Sequence, residues 1–181
     1  MNISLTMTAV GESARASAAT LAITSGEQRN AALAAAAAAL RERSSEILAA
    51  NKQDMAAASE RSLTRAMLDR LMLNNERVEA MAAGIEVIID LHDPIGRVLE
   101  EWERPNGLHI QRVSVPLGVI GIIYESRPNV TADAAALCVK SGNAVILRGG
   151  SESFHSSTAI YECLRDGMIS AGLPGDAVQM V

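Results

Sequence analysis

The chain has 181 residues, a formal net charge of −5 and only 2% aromatic residues. These totals argue against a general nucleic-acid binder, which needs a basic face and, for single strands, aromatic rings on which bases stack. The longest apolar run, residues 31–40, is half of the ~20 residues that a membrane-spanning helix needs, and no basic-then-apolar leader opens the chain. Two cysteines, Cys138 and Cys163, make neither a disulfide framework nor a metal site, so a reducing cytoplasm is the expected location.

The first 96 residues are predicted to be helical, because alanine-rich segments dominate and alanine is the best intrinsic helix former. The first helix is expected over residues 5–23. Ser25, with Gln28 three residues later, is a capping-box start for the second helix. Helical spacing gives that helix a buried stripe, and its end or kink is expected at Asn51 and Asp54. The stripe consists of Leu33, Leu40, Ile47 and Leu48.

Two shorter helices are predicted before a proline boundary. Thr64 and Asn74 are the residue types that cap helix N-termini, and each precedes a segment with apolar residues at helical spacing. The Asp93-Pro94 pair ends the last of these helices, because the residue before proline avoids the helical region. Together these helices form the predicted first unit, residues 1–96.

Residues 97–114 are predicted to form a β-hairpin. Two alternating apolar and polar runs flank Pro105-Asn106-Gly107, in which proline presets φ while Asn and Gly accept a positive φ. An isolated two-stranded ribbon is marginal in water, so this one needs a partner surface. Two interpretations stay open: an arm that pairs with another subunit in a homo-oligomer, or a hairpin that lies on its own domain.

Residues 115–150 read as a strand, a helix and a second strand. The apolar runs 119–123 and 144–147 are continuous rather than alternating, which is typical of parallel strands that are buried on both faces. A helix from about Thr131, closed by Ser141-Gly142, joins them into a βαβ unit. Ligands of such sheets bind outside the carboxyl ends of the strands, so any chemistry is expected at the loops 124–129 and 148–153.

A further helix, from about His155 to Ser170, leads to a third apolar run at residues 177–181. Gly172 and Pro174 suit the end of that helix. The predicted fold class is therefore α/β, with N-terminal helices, a protruding hairpin and the first strands of a doubly wound, Rossmann-like parallel sheet in residues 115–181. A sheet that stops on a fresh apolar run indicates the front part of a larger domain.

Six segments of the chain are distinctive: YESRPNVT, ILRGGSES, ILAANKQDM, AMLDRLMLNNERV, EWERPNGLHIQRVSVP and AGLPGDAVQMV. They closely resemble the γ-glutamyl phosphate reductase family, also called glutamate-5-semialdehyde dehydrogenases, of the aldehyde dehydrogenase superfamily. The resemblance covers nearly the whole chain but only the N-terminal part of a family member. It implies NADPH-dependent reduction of an acyl phosphate, L-glutamate 5-phosphate, to the semialdehyde in proline biosynthesis.

The resemblance implies that the cofactor lies at the two loops. Arg148 stands where the superfamily places a basic residue that binds the adenosine ribose, and an arginine suits a ribose 2′-phosphate. Ser151 stands where many NAD-preferring relatives have glutamate, although the neighbouring Glu152 weakens that contrast. The alternative for Arg148 is a solvated loop cation. The other cofactor-binding residues expected from the resemblance are Tyr124, Glu125, Ser126, Gly149 and Gly150.

The chain has fewer candidates for binding the substrate and for catalysis than for binding the cofactor. Asn129 is the only amide of the first loop available to bind an oxyanion, but it equally suits a helix cap. Arg127 is a candidate for a substrate phosphate or carboxylate, with a surface salt bridge as the alternative. The resemblance implies that the nucleophilic cysteine lies beyond Val181, so the isolated chain is expected to have no reductase activity.

The remaining reactive side chains carry no role by sequence. Cys138 and Cys163 lie within predicted helices, where a small buried thiol is the ordinary case. His92, His109 and His155 are isolated near loops, and only His155, near a helix start, has a slight claim to a cofactor phosphate. Two alternatives to the reductase stay open: another acyl-phosphate or aldehyde reductase of the superfamily, and a non-enzymatic assembly module that uses the hairpin.

Overall fold

Seven α-helices and five strands follow one another along the part of the chain that the structure describes. The computed structural model describes residues 3–61 and 63–181. The N-terminal helices are α1 Ile3–Ile23, α2 Gly26–Glu42, α3 Ser44–Glu60, α4 Arg65–Leu71 and α5 Asn75–Asp90. The remaining elements are β1 Val98–Glu103, β2 His109–Val113, β3 Val119–Ile123, α6 Pro128–Lys140, β4 Ala144–Arg148, α7 Phe154–Ser170 and β5 Val178–Met180. None of the helices in the described ranges is long and apolar enough to cross a membrane.

The predicted N-caps are confirmed at three helices. The side chains of Ser25, Thr64 and Asn74 accept hydrogen bonds from backbone N–H groups one turn into α2, α4 and α5. The Gln28 side chain does not return to its own helix end; it donates to the carbonyl oxygen of Ala171. The hydrogen bond that the Ser25 side chain accepts in a capping box therefore forms. The Gln28 side chain instead links α2 to the end of α7.

The predicted break at Asn51 and Asp54 is wrong. The helix ends instead at Arg43, where α2 stops and α3 begins. Asn51 and Asp54 lie inside α3 and are buried. Both are polar residues that favour helix ends when their side chains bond locally, but here their side chains bond to distant segments, so the backbone of α3 continues.

The hairpin forms as predicted, with β1 antiparallel to β2. Gly107 adopts a φ of 82°, and the N–H of Arg104 donates to the carbonyl oxygen of Leu108 across the turn. Every residue of the two strands is exposed except Ile110, which is half-buried. The hairpin therefore projects from the body of the protein rather than lying on it.

The sheet is parallel, with strand order β3-β4-β5. The central strand β4 is buried as predicted, but β3 is not buried on both faces: the side chain of Ile123 is 86% exposed. Ile120 and Ile122 pack on the core while their neighbours in β3 face outward. The continuous apolar run misled the prediction because β3 is an edge strand with only one face covered by the described residues.

The core sits where α2 crosses α5 and α7. Alanines such as Ala32 and Ala36 let the helix backbones approach closely. Gly167 of α7 lies directly against the backbone of α2. A Cβ on Gly167 would lie 2.6 Å from the backbone nitrogen of Ala36 and 2.8 Å from the carbonyl oxygen of Ala32. The alanine-rich composition of α2 therefore sets a close helix–helix contact, in addition to favouring the helix itself.

Helix α7 ends as predicted from Gly172, which has a φ of 73°. The N–H of Leu173 donates to the carbonyl oxygen of Met168, which closes a Schellman-type helix end. The N-terminus of α7 begins one residue before the predicted His155 and follows a 3₁₀ turn, Ser151–Ser153. That turn places the second predicted loop beside the first.

Candidate functional site

The loops after β3 and β4 lie side by side at the carboxyl edge of the sheet, as predicted from the βαβ pattern. The N–H of Tyr124 donates to the carbonyl oxygen of Arg148 over 3.1 Å. A Cβ on Gly149 would lie 3.3 Å from the Tyr124 ring, and a Cβ on Gly150 would lie 3.4 Å from the backbone nitrogen of Ser126. The two glycines therefore allow the loops to touch.

Ser126 and Glu152 join the two loops through their side chains. The Ser126 hydroxyl, which is buried, donates to Glu152 Oε2 over 3.1 Å. The pKa of Glu152 is lowered, mainly by a hydrogen bond from its own backbone N–H, and further by the hydroxyls of Ser126 and Ser151 and the charge of Arg61. Glu152 is therefore a fixed anion directed at the first loop.

Arg148 lies at the end of β4, exposed, and donates to the carbonyl oxygen of the next residue, Gly149. Among residues 3–61 and 63–181 it has no carboxylate partner within ion-pair distance. It lines a cavity of about 470 Å³, the β4–α7 cavity, together with Arg61, Ser151 and His155. The lining of this cavity therefore includes two guanidinium groups, one imidazole and two carboxylates.

Arg61 was missed by sequence reasoning. It follows the last residue of α3, almost ninety residues before Arg148 in the chain, and only the packing of α3 beside α7 brings it to this cavity. Its sequence context, a charged residue after an alanine-rich helix, is that of an ordinary C-terminal helix cation. No local pattern separates it from such a residue.

Asp54 was also missed as a site residue. Its carboxylate accepts hydrogen bonds from the N–H groups of His155 (3.1 Å) and Ser156 (2.8 Å) and from the Ser156 hydroxyl (2.5 Å). These are the first donors of α7, which an anionic ligand would otherwise approach. Asp54 therefore caps α7 from α3, and these two amides are not free to bind an anion in the β4–α7 cavity.

His155 and Tyr124 each make a side-chain contact within the protein. The His155 ring lies edge-on to Phe154, with ring centroids 5.4 Å apart, and lines the β4–α7 cavity. The Tyr124 hydroxyl lies 2.7 Å from Thr131 Oγ1, and burial raises its pKa. Tyr124 thus supports the loop contact at Gly149, while Glu125 is exposed beside it.

A second cavity, of about 360 Å³, lies on the other side of the first loop and is called the α4–α6 cavity. Arg127, Asn129 and Asp133 line it from the start of α6, and Asp69, Arg70 and Arg77 are among the residues that line it from α4 and α5. Sequence reasoning identified Arg127 and Asn129 and missed the other four. The missed residues come from elements that no motif connects to the first loop.

Asn129 is not a helix cap, so that interpretation is wrong. The N-cap position of α6 is Arg127, with Pro128 as the first helical residue. The Asn129 amide donates to Asp133 Oδ2 over 3.2 Å. The pKa of Asp133 is raised, mainly by burial and against the opposing effect of that hydrogen bond.

Asn51 of α3 holds one wall of the α4–α6 cavity. Its amide donates to the carbonyl oxygen of Leu71 over 2.9 Å and accepts from the N–H of Leu73 over 2.8 Å. Leu73 lines the cavity. The segment between α4 and α5 is therefore fixed by a buried amide from α3, three residues before Asp54.

Neither thiol is placed to act as a nucleophile. Cys138 and Cys163 are 5% and 0% exposed, and burial raises the pKa of each thiol to about 11. Both are free thiols, as the predicted buried helix positions imply. Within the described ranges, no group of three or more His, Cys, Asp or Glu side chains is arranged to bind a metal ion.

The sequence of the chain is similar to one protein family and to several known proteins. The sequence profile described as "Aldehyde dehydrogenase family" matches residues 6–181. A γ-glutamyl phosphate reductase of Paramagnetospirillum magneticum is 63% identical over 175 residues, and one of Brucella anthropi is 57% identical over 180 residues. These alignments cover 97% and 99% of the chain but only 41% and 42% of the two relatives.

Solved structures agree with the sequence relatives. The γ-glutamyl phosphate reductase of Thermotoga maritima superposes with a TM-score of 0.93 at 40% identity, over 95% of this chain and 42% of that one. The enzyme of the same name from Saccharomyces cerevisiae gives a TM-score of 0.89 at 35% identity, over 95% of this chain and 45% of that one. The predicted α/β fold is confirmed, and the chain spans less than half the length of these two proteins.

Proposed function

Because the chain belongs to the aldehyde dehydrogenase family, we propose that it is the cofactor-binding part of an NADPH-dependent reductase that converts L-glutamate 5-phosphate to L-glutamate 5-semialdehyde and phosphate. Members of this family use NAD or NADP. The reaction named for the reductases of Paramagnetospirillum and Brucella supports the substrate. The choice between the two cofactors rests on the residues of the β4–α7 cavity.

The reaction needs a thiolate that displaces phosphate from the acyl group, and the resulting thioester is then reduced. NADPH, when bound, supplies the hydride for that reduction. Both thiols of this chain are buried and hard to ionise, so the nucleophile must come from outside these 181 residues. The residues described here bind the cofactor and orient the acyl group.

The observation that carries the cofactor proposal is the unpaired Arg148 guanidinium beside Arg61 in the β4–α7 cavity. Two arginines in one space suit the doubly charged 2′-phosphate of NADPH through charge-assisted hydrogen bonds. Ser151 adds no negative charge there, and the Glu152 carboxylate is held by Ser126. Gly149 and Gly150 line the cavity, and they line a neighbouring cavity together with Tyr124, Glu125 and Ser126, so we assign these five residues to the cofactor as well.

Arg148→Ala tests this role in the 181-residue chain by fluorescence titration and in the full-length reductase by kinetics. A charged hydrogen-bonded contact contributes about 1.5–3 kcal/mol, so NADPH should bind roughly 10- to 100-fold more weakly. NADH binding should change by less than about threefold, because it lacks the 2′-phosphate. Arg104→Ala, in the exposed hairpin turn, is the matched control. Equal losses for both cofactors would remove the 2′-phosphate role.

Substrate contacts are proposed for the other loop. Arg127, exposed and without an ion-pair partner among the described residues, is available for an anionic group of the substrate, and Asn129 for the oxyanion that forms during reduction. The Asn129 amide already donates to Asp133, so this second role requires its other N–H. Both residues line the α4–α6 cavity.

The hairpin supports a further part of the proposal. Its side chains are exposed, including those of Val98, Leu99 and Trp102, and an isolated ribbon is marginal in water. We therefore assign residues 1–96 and 115–181 to the cofactor domain and 97–114 to an arm that pairs with a second copy in a cytoplasmic homo-oligomer. A monomeric native mass for the full-length enzyme would contradict the arm.

A further inference from the structure

The α4–α6 cavity contains opposite charges that do not neutralise each other. Cations and carboxylates of α4, α5 and α6 share its surface, yet only one pair among them lies within ion-pair distance. In that pair, Arg77 binds the Asp69 carboxylate over 2.9 Å and also donates to backbone carbonyl oxygens, including that of Met72 over 2.7 Å. Arg77 and Asp69 are therefore occupied by the protein itself.

Two guanidinium groups remain available. Arg70 near the end of α4 and Arg127 at the start of α6 make no side-chain hydrogen bond or ion pair with any residue in the ranges 3–61 and 63–181. Both line the α4–α6 cavity. The two oxygens of a carboxylate can accept charge-assisted hydrogen bonds from two planar guanidinium groups, and these bonds are stronger than hydrogen bonds from water.

One carboxylate also remains available. Asp133 is half-buried, and its one side-chain hydrogen bond within the described ranges comes from the neutral amide of Asn129. Burial removes water from the Asp133 carboxylate, and the one hydrogen bond from a neutral amide replaces only part of that hydration. Burial therefore raises the pKa of Asp133. An ammonium group in the cavity would supply the missing positive charge.

We propose that the α4–α6 cavity binds the α-amino-acid head of the substrate, with Arg127 and Arg70 on its α-carboxylate and Asp133 on its α-ammonium group. The inference rests on the proposed reductase function and assigns residues of this chain to the α-carboxylate and the α-ammonium group of its substrate. Asp133 is then a specificity-determining residue that rejects dicarboxylic acyl phosphates without the amino group.

The test compares three ligands in the 181-residue chain by calorimetric titration at pH 8. L-Glutamate carries both head groups, and its side-chain carboxylate replaces the acyl phosphate. Glutarate lacks the ammonium group, and 4-aminobutyrate lacks the α-carboxylate. One charge-assisted contact near the surface corresponds to about a tenfold change, so L-glutamate should bind about tenfold more tightly than either analogue.

Asp133→Asn is the decisive variant because it keeps the shape and removes the charge. It should lower the ratio of L-glutamate affinity to glutarate affinity to about one, and Arg127→Gln should weaken both of these ligands but leave 4-aminobutyrate unchanged. Glu103→Gln, at an exposed carboxylate of β1 that is not among the residues lining the α4–α6 cavity, is the matched control, so the ratio should stay as in the parent chain. The ratio is measured on one sample, so a partly unfolded variant lowers both affinities and leaves it intact.

Three results would overturn the proposal: no binding of L-glutamate, equal binding of L-glutamate and glutarate by the parent chain, or an unchanged ratio in Asp133→Asn. NADPH titrated into the same samples separates this failure from failure of the proposed function. If NADPH binds and depends on Arg148 while the L-glutamate ratio is one, the cofactor role stands and the amino-acid pocket does not. If neither ligand binds, both proposals fall.

Discussion

Replacing Asp54 by alanine should destabilise the protein more than any other single loss of a carboxylate in α3. Asp54 is 3% exposed, and its carboxylate accepts from two backbone N–H groups and one hydroxyl at the start of α7. Each buried donor left without an acceptor costs about 1–3 kcal/mol. Some of that cost is relieved because water can enter from the adjoining β4–α7 cavity, and alanine favours the helix by about 0.5 kcal/mol.

The expected loss in the free energy of unfolding is therefore about 3–4 kcal/mol for Asp54→Ala. Asp54→Asn keeps one acceptor oxygen but points an amide at donors, so about 1.5–3 kcal/mol is expected. Urea unfolding followed by circular dichroism measures both. Glu60→Ala, an exposed position of the same helix, is the control and should change stability by less than about 0.5 kcal/mol. A loss below about 1 kcal/mol for Asp54→Ala would refute the capping role.

Two further predictions concern helix packing and the thiols. Gly167→Ala should destabilise by about 2–3 kcal/mol in urea, because its methyl group overlaps the α2 backbone, whereas Gly11→Ala, with nothing within 4 Å, should stabilise by about 0.5–1 kcal/mol. Equal effects at the two glycines would contradict the close crossing of α2 and α7. Cys138 and Cys163 should resist thiol reagents at pH 8 until the chain unfolds, and the unfolding free energy should fall as pH rises from 9 towards 11, because the unfolded thiols ionise first. Fast labelling of the folded chain would show that the thiols are accessible.

Features set by neighbouring residues were predictable from the sequence. Ser25, Thr64 and Asn74 cap the helices they precede, and Gly107 takes the positive φ that the hairpin turn requires. Each depends on the chemistry of a few adjacent residues, which no distant contact overrides. The two loops of the sheet were placed correctly for a related reason, since parallel strands bring their carboxyl ends to one edge whatever surrounds them.

Features set by distant contacts were not predictable. Asn51 and Asp54 have the composition of a helix end, but their partners lie about 20 and 100 residues away in the chain. Arg61 and Arg70 look like ordinary surface cations until tertiary packing places them at the two cavities. Sequence spacing carries no information about such neighbours. The sequence therefore predicted only the cavity residues that lie in the two loops after β3 and β4.

One helix turn of α3 sets the geometry of both cavities. Asn51 fixes the segment that lines the α4–α6 cavity, and Asp54 fixes the helix start that lines the β4–α7 cavity. The two side chains are three residues apart, about 4.5 Å along the helix axis. The distance between the two cavities is therefore set by one turn of α3, and a displacement of that helix would change the geometry of both cavities together.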